Sequence, residues 1–128
     1  MGRPVVFFDI GCEDTKKTAD FYAKVFDWGT EEASPHSITV DTQSDDGING
    51  AITSLGQEPH NYIMIYIEVE DMDAYLDRIE ENGGEVLIPT TEVEGEGLFA
   101  LFSDPEGNKM GMWQREEEEI EIEMEDDA

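Results

Sequence analysis

Residues 61–70, NYIMIYIEVE, alternate without a break. In an extended chain Ile63, Ile65, Ile67 and Val69 fall on one face, and Tyr62, Met64, Tyr66 and Glu68 on the other. The pattern predicts a strand whose β-branched face covers a helix. That helix is the next segment, DMDAYLDRIEENGG (71–84): Met72, Tyr75, Leu76 and Ile79 repeat at helical spacing, Asp71 stands where an N-cap belongs, and Asn82-Gly83-Gly84 ends the run. An earlier pair has the same organisation. VVFFDI (5–10) reads as a strand with Val6, Phe8 and Ile10 on one face and Val5, Phe7 and Asp9 on the other. EDTKKTADFYAKVFDW (13–28) follows as a helix capped by Asp14 or Thr15, with Ala19, Tyr22, Ala23, Val25 and Phe26 on its apolar side.

Further strands are predicted at HSITVD (36–41), INGAITSL (48–55), EVLIPTTEV (85–93), GLFALFSD (97–104) and NKMGMWQ (108–114). Displacing the chain by 57 residues superposes Ile10 on Ile67, Glu13 on Glu70 and Asp14 on Asp71. The order strand, helix, strands occurs twice and is read as a duplicated unit of strand, helix, three strands, at about 4–56 and 60–115 within one domain of residues 1–115, with two of the three later strands picked out in the first half. Residues 116–128, EEEEIEIEMEDDA, are charge-dense and read as a disordered acidic tail, although the Ile120/Ile122/Met124 alternation also suits an edge strand.

Charge changes the picture most. Thirty-three acidic residues face seven basic ones, a formal net charge of −26, and without the tail 24 acidic residues still face seven basic. Such self-repulsion strains a fold at low ionic strength, and molar salt, with a Debye length of about 3 Å, screens it. The composition predicts a salt-adapted cytoplasmic protein whose melting temperature rises with salt; a melting temperature indifferent to salt would refute this. A basic docking partner is the rival explanation. Direct nucleic-acid binding is disfavoured because clustered Lys and Arg are missing. No apolar run is long enough for a membrane span or a signal peptide, and the single Cys12 excludes an internal disulfide framework.

FFDIGCEDTKKTADFYAKVFDW and YIEVEDMDAYLDRIEENGGEVLIP…GEGLFALFSDPEGNKMGMWQ resemble the vicinal oxygen chelate superfamily, which includes glyoxalase I, bleomycin-resistance proteins and extradiol dioxygenases. The resemblance covers about residues 4–114 and rests on the FY within the first helix, the ENGGEV stop and the DPEGN turn. It implies an α+β fold of two βαβββ modules with curved mixed sheets forming a cleft, within one chain or in a homodimer. It also implies a divalent metal held by ligands on the first and last strands of each module. The matching positions here are Phe7, Gly50 or Ala51, Met64 and Gly111, and none offers the oxygen or imidazole that a hard divalent ion needs. The resemblance therefore implies a member with no metal ligands and no cofactor.

The remaining candidates form a binding set. Phe7, Tyr62, Met64, Tyr66 and Trp113 fall on the predicted inner faces, with Gly111 leaving room, and aromatic and thioether walls suit a small hydrophobic or amphipathic ligand. A filled core with no cavity is the competing explanation. Asp9 and Glu68 share those faces and are the candidate acid–base pair, weighed against the abundance of carboxylates in this chain. A relocated metal site of Asp9, Tyr66 and Glu68 is a further alternative. His36 and His60 read as solvated loop residues beside prolines, and Cys12 as a structural thiol. The favoured function is metal-free small-molecule binding. A glyoxalase-type (lactoylglutathione lyase-like) lyase or isomerase, or a dioxygenase-related enzyme, is the alternative.

Overall fold

The structure, a computed structural model, describes residues 2–116, so the acidic tail expected over 116–128 lies, from residue 117 on, outside the described residues. The chain runs β1 (Val5–Gly11), α1 (Thr15–Phe26), β2 (Gly29–Ser34), β3 (Ser37–Asp41), β4 (Asn49–Thr53), β5 (Tyr62–Glu68), α2 (Met72–Glu81), β6 (Glu85–Val93), β7 (Gly97–Ser103) and β8 (Lys109–Arg115). This is the βαβββ order twice over, in an α+β protein. By contacts the chain divides into two compact units, Val6–Ile65 and the remainder, with the division inside β5 and residues 2–5 belonging to the second unit.

In the first unit the sheet order is β2-β3-β4-β1, with β1 parallel to β4 and the other pairs antiparallel. Helix α1 begins where Asp14 accepts a hydrogen bond from the Lys17 N–H at 3.1 Å, and it ends at Asp27 in the left-handed region. Its inward stripe is Thr15 and Ala19, with Tyr22 beside them, packed with Cys12, Ile38, Val40 and Ile52. Phe8 and Ile10 of β1 join that core, as their shared parity predicts. Val25 and Phe26 do not: they are 54% and 56% exposed. Steps of about 100° per residue carry Val25 away from the line through Thr15 and Ala19, whereas Phe26 returns to that line but is the last residue of the helix, stacked on Tyr22 beyond the buried stripe.

Strand β2 is not among the segments the hydrophobic pattern picks out. GTEEAS is polar because it is an edge strand, exposed over five of its six residues. Pairing with β3 holds it, supplemented by Thr39 Oγ1 donating to the Glu31 carbonyl at 3.1 Å.

The second unit repeats the arrangement as β5-β8-β7-β6, with β5 parallel to β8. Asp71 caps α2 by accepting from the Ala74 N–H at 3.2 Å, and the Gln114 side chain accepts from the Met72 N–H at 2.8 Å. The core contains Val69, Met72, Leu76, Ala100 and Met112, with Ile67, Tyr75 and Ile79 against it. The helix-covering face predicted for β5 is only partly realised: Ile67 and Val69 meet α2, whereas Ile63 is 74% exposed. The β7–β8 hairpin is closed by Asp104, whose carboxylate accepts from the backbone of Glu106 and Asn108 and from the Asn108 side chain at 2.9–3.0 Å. These bonds favour the ionised form and hold the Asp104 carboxyl below the usual carboxylate range. This turn sets the register in which Leu101 faces Gly111 and Phe99 faces Trp113.

Candidate functional site

The eight candidate residues fall four to each unit. In the first, Asp9 sits mid-strand on β1, opposite Ala51 of β4, on the face turned from the α1 core. Its two oxygens are both engaged: Thr53 Oγ1 donates to one at 2.8 Å and the Tyr62 hydroxyl to the other at 3.1 Å. The local sequence makes this possible. Gly11 lies two residues along the same face, and the Tyr62 ring occupies the space where a Cβ at that position would be. Any side chain at 11 would push Tyr62 off Asp9. Burial pushes the Asp9 carboxyl above its ordinary value, opposed by the hydrogen bonds from Thr53 and Tyr62. Phe7, half-buried and opposite Asn49, extends the face along β1, and Met64 is half-buried on β5.

In the second unit the parallel register sets Tyr66 opposite Gly111 and Glu68 opposite Trp113. The Tyr66 ring lies directly against Gly111, in the volume a side chain there would take. Glu68 is paired with Arg115, Oε1 to Nε at 3.2 Å, with both side chains half-buried or nearly so. Trp113 is half-buried on the same strand face as Gly111 and Arg115. Met112, of opposite parity, is buried in the α2 core, so only alternate residues of MGMWQ belong to this wall.

Two participants are absent from the sequence-based candidates. Thr53 shares parity with Ala51, and Arg115 shares it with Gly111 and Trp113, so each is recoverable once the strand register is known. His60 departs from the solvated-loop reading. Its Nε2 lies 3.4 Å from Glu13 and 3.5 Å from Glu58, and its Nδ1 is buried with no hydrogen-bond partner. His36 is exposed in the β2–β3 turn, and Cys12 is buried in the first core.

The residues do not fit a divalent metal. The register resolves the first module's position: Asp9 pairs with Ala51 as Tyr66, 57 residues later, pairs with Gly111. The first- and last-strand positions are thus Phe7, Ala51, Met64 and Gly111, which between them offer a single soft thioether. Among the described residues no group of three or more His, Cys, Asp or Glu could hold an ion. What the faces offer instead is one hydrogen-bonded carboxylate, one carboxylate–guanidinium pair, and aromatic surface.

The sequence profile of the Glyoxalase/Bleomycin resistance protein/Dioxygenase superfamily matches residues 5–112, and the chain belongs to that superfamily. The anthracycline biosynthesis protein DnrV of Streptomyces peucetius is 31% identical over 131 residues, covering 89% of this chain and 47% of DnrV. The chain thus spans about half the length of that relative. Among solved structures, methylmalonyl-CoA epimerase from Mycobacterium tuberculosis matches with a TM-score of 0.67 at 10% identity, covering 91% of this chain and 90% of that one. The Mn(II)-bound glyoxalase from Novosphingobium aromaticivorans matches with a TM-score of 0.65 at 17% identity, over 89% of this chain and 40% of that one. At these identities the two structures bear on the fold alone. No helix of the described residues is long and apolar enough to cross a membrane.

Proposed function

We propose that this chain binds a small hydrophobic or amphipathic molecule on the faces that carry Phe7, Asp9, Tyr62 and Met64 in one module and Tyr66, Glu68, Gly111 and Trp113 in the other, without a metal. The observation that carries the reading is the Tyr66 ring lying on Gly111. At the position where family enzymes place a ligating carboxylate, this chain packs an aromatic ring on a glycine. Aromatic faces supply apolar contact area, and a few fixed polar groups orient the guest. Asp9 is the leading anchor, because Thr53 and Tyr62 fix the direction of its carboxylate before a ligand arrives. The wider setting of this reading is a salt-adapted cytoplasmic homodimer, in which the net charge of −26 supports the salt adaptation.

The kinship with DnrV makes an anthracycline the first probe. In calorimetric titration at molar KCl the parent chain is expected to bind it. Trp113→Ala and Tyr66→Ala should each weaken binding about tenfold or more, the loss of about 1–3 kcal/mol of aromatic contact. Binding unchanged in both variants would remove these faces from the site.

A second reading is favoured by Asp9 specifically. A carboxyl raised by burial and held by a tyrosine hydroxyl is suited to proton transfer, so a lyase or isomerase using Asp9 as acid or base needs no metal ligand. Proton exchange into a bound carbonyl acid, followed by NMR in deuterated buffer, separates the readings: exchange abolished by Asp9→Asn favours the enzyme, and binding without exchange favours the carrier.

A further inference from the structure

Helix α1 is out of character with the rest of the chain. It carries Lys16, Lys17 and Lys24, three of only seven basic residues, against one acidic residue, Asp20. All three lysines are exposed, and among the described residues none of them forms an ion pair. In a protein with 33 carboxylates that is unexpected. The same helix exposes Phe21, Val25 and Phe26, each more than half accessible. These side chains are continuous with the module's packing: Phe21 meets Tyr22 edge-on at 5.1 Å, Phe26 stacks with Tyr22 at 6.2 Å, and Tyr22 stacks on Trp28 at 4.9 Å. Beside Phe21 the surface falls into an open groove of about 440 Å³, walled in part by Lys17, Tyr22 and Asn61, with Glu13 and Asp14 also on its wall. A contiguous exposed apolar patch rimmed by charge marks an interaction surface.

The chemistry of the patch specifies its occupant: a segment that alternates apolar and acidic residues. Residues 117–128, EEEIEIEMEDDA, have that chemistry, with eight acidic groups, no basic one, and Ile120, Ile122 and Met124 at alternate positions. We propose that the outward face of α1 docks residues 117–128 of a second copy of this chain. Each copy carries both the basic aromatic helix and the acidic apolar segment, so the exchange is reciprocal and closes as a two-fold dimer. Molar salt screens the attraction between lysines and carboxylates together with the larger net repulsion between two chains of −26, while the apolar contact persists, so association strengthens as salt rises. The proposal stands independently of any ligand.

The test uses full-length chains, one population carrying natural nitrogen and one labelled with ¹⁵N, mixed at molar KCl and coupled with a zero-length carbodiimide. The expected result is bonds from Lys17 or Lys24 to carboxylates of 117–128 in mixed-isotope pairs, together with a dimer in sedimentation. Phe21→Ser with Val25→Ser should lower both at least tenfold, and so should Ile120→Ser with Ile122→Ser and Met124→Ser. The second set leaves every described side chain untouched, so it carries the test even where the helix variant folds poorly. Coupling confined to single-isotope chains, coupling spread evenly over other acidic segments, a monomer throughout, or a dimer indifferent to both sets would each overturn the proposal.

Discussion

The two modules of this chain share an order of elements and a strand register, yet they have filled equivalent positions with opposite chemistry. Asp9 and Tyr66, 57 residues apart, each face the last strand of their own module, at Ala51 and Gly111. In the first module that position holds a half-buried carboxylate whose oxygens are both hydrogen-bonded. In the second it holds a ring lying on a glycine. Glycine serves both modules in the same way, since Gly11 admits the Tyr62 ring as Gly111 admits Tyr66. A duplicated frame therefore fixes where side chains point and leaves open what they do there. At this position one half is polar and the other apolar and space-filling.

The largest expected effects test whether the two halves are equally dependent on their cores. Among the described residues Ile52 and Met72 are the two large side chains that are fully buried, one in each module. Alanine at either should cost about 2–5 kcal/mol. Chemical denaturation followed by two probes, Trp28 in the first module and Trp113 in the second, reads the outcome. Coincident transitions in both variants mean one cooperative unit; separated transitions would show that the modules unfold independently.

The next effect sharpens the contrast at the paired position. Gly111→Ala drives a methyl group into the Tyr66 ring and should cost about 1–3 kcal/mol. Combining it with Tyr66→Ala should recover most of that cost, a non-additivity the double-mutant cycle measures directly. An additive pair would mean that the ring and the glycine do not interlock.

The smallest effect is a pH dependence confined to the first module. Burial raises the Asp9 pKa above 3.8, so the folded state holds the proton more tightly than the unfolded chain does. The cost of ionising Asp9 is absent well below pH 3.8, grows as pH rises through that value, and is complete above the raised folded pKa. Relative to Asp9→Asn, the parent chain should therefore lose stability as pH rises across that window and stay constant above it. A difference that moved in the opposite direction would show that the bonds from Thr53 and Tyr62 outweigh burial.

The sequence was informative where one periodicity acted alone. Strand β5 and helix α2 are legible because alternation and helical spacing each run unbroken and are bounded by Asp71 and Asn82-Gly83-Gly84. Strand β2 is illegible because an edge strand exposed on both faces has no apolar alternation to display. Val25, Phe26 and Ile63 are apolar but exposed, which composition cannot reveal: apolar residues at the surface are common, and only packing decides which ones are covered. Parity placed Asp9, Glu68, Gly111 and Trp113 on their strand faces, but the partners Thr53 and Arg115 depended on inter-strand register. Likewise, parity alone left the first module's last-strand position between Gly50 and Ala51, and pairing with Asp9 resolves it to Ala51.

The account rests on the exchange of metal coordination for aromatic packing, and metal content tests it most directly. The chain should be purified at molar KCl without chelators and assayed by plasma mass spectrometry before and after equilibration with Mn(II), Ni(II), Zn(II) and Fe(II). The account predicts far less than one ion per chain in every case, with no change in melting temperature on adding metal. One tightly held ion per chain, lost together with stability on chelation, would contradict it.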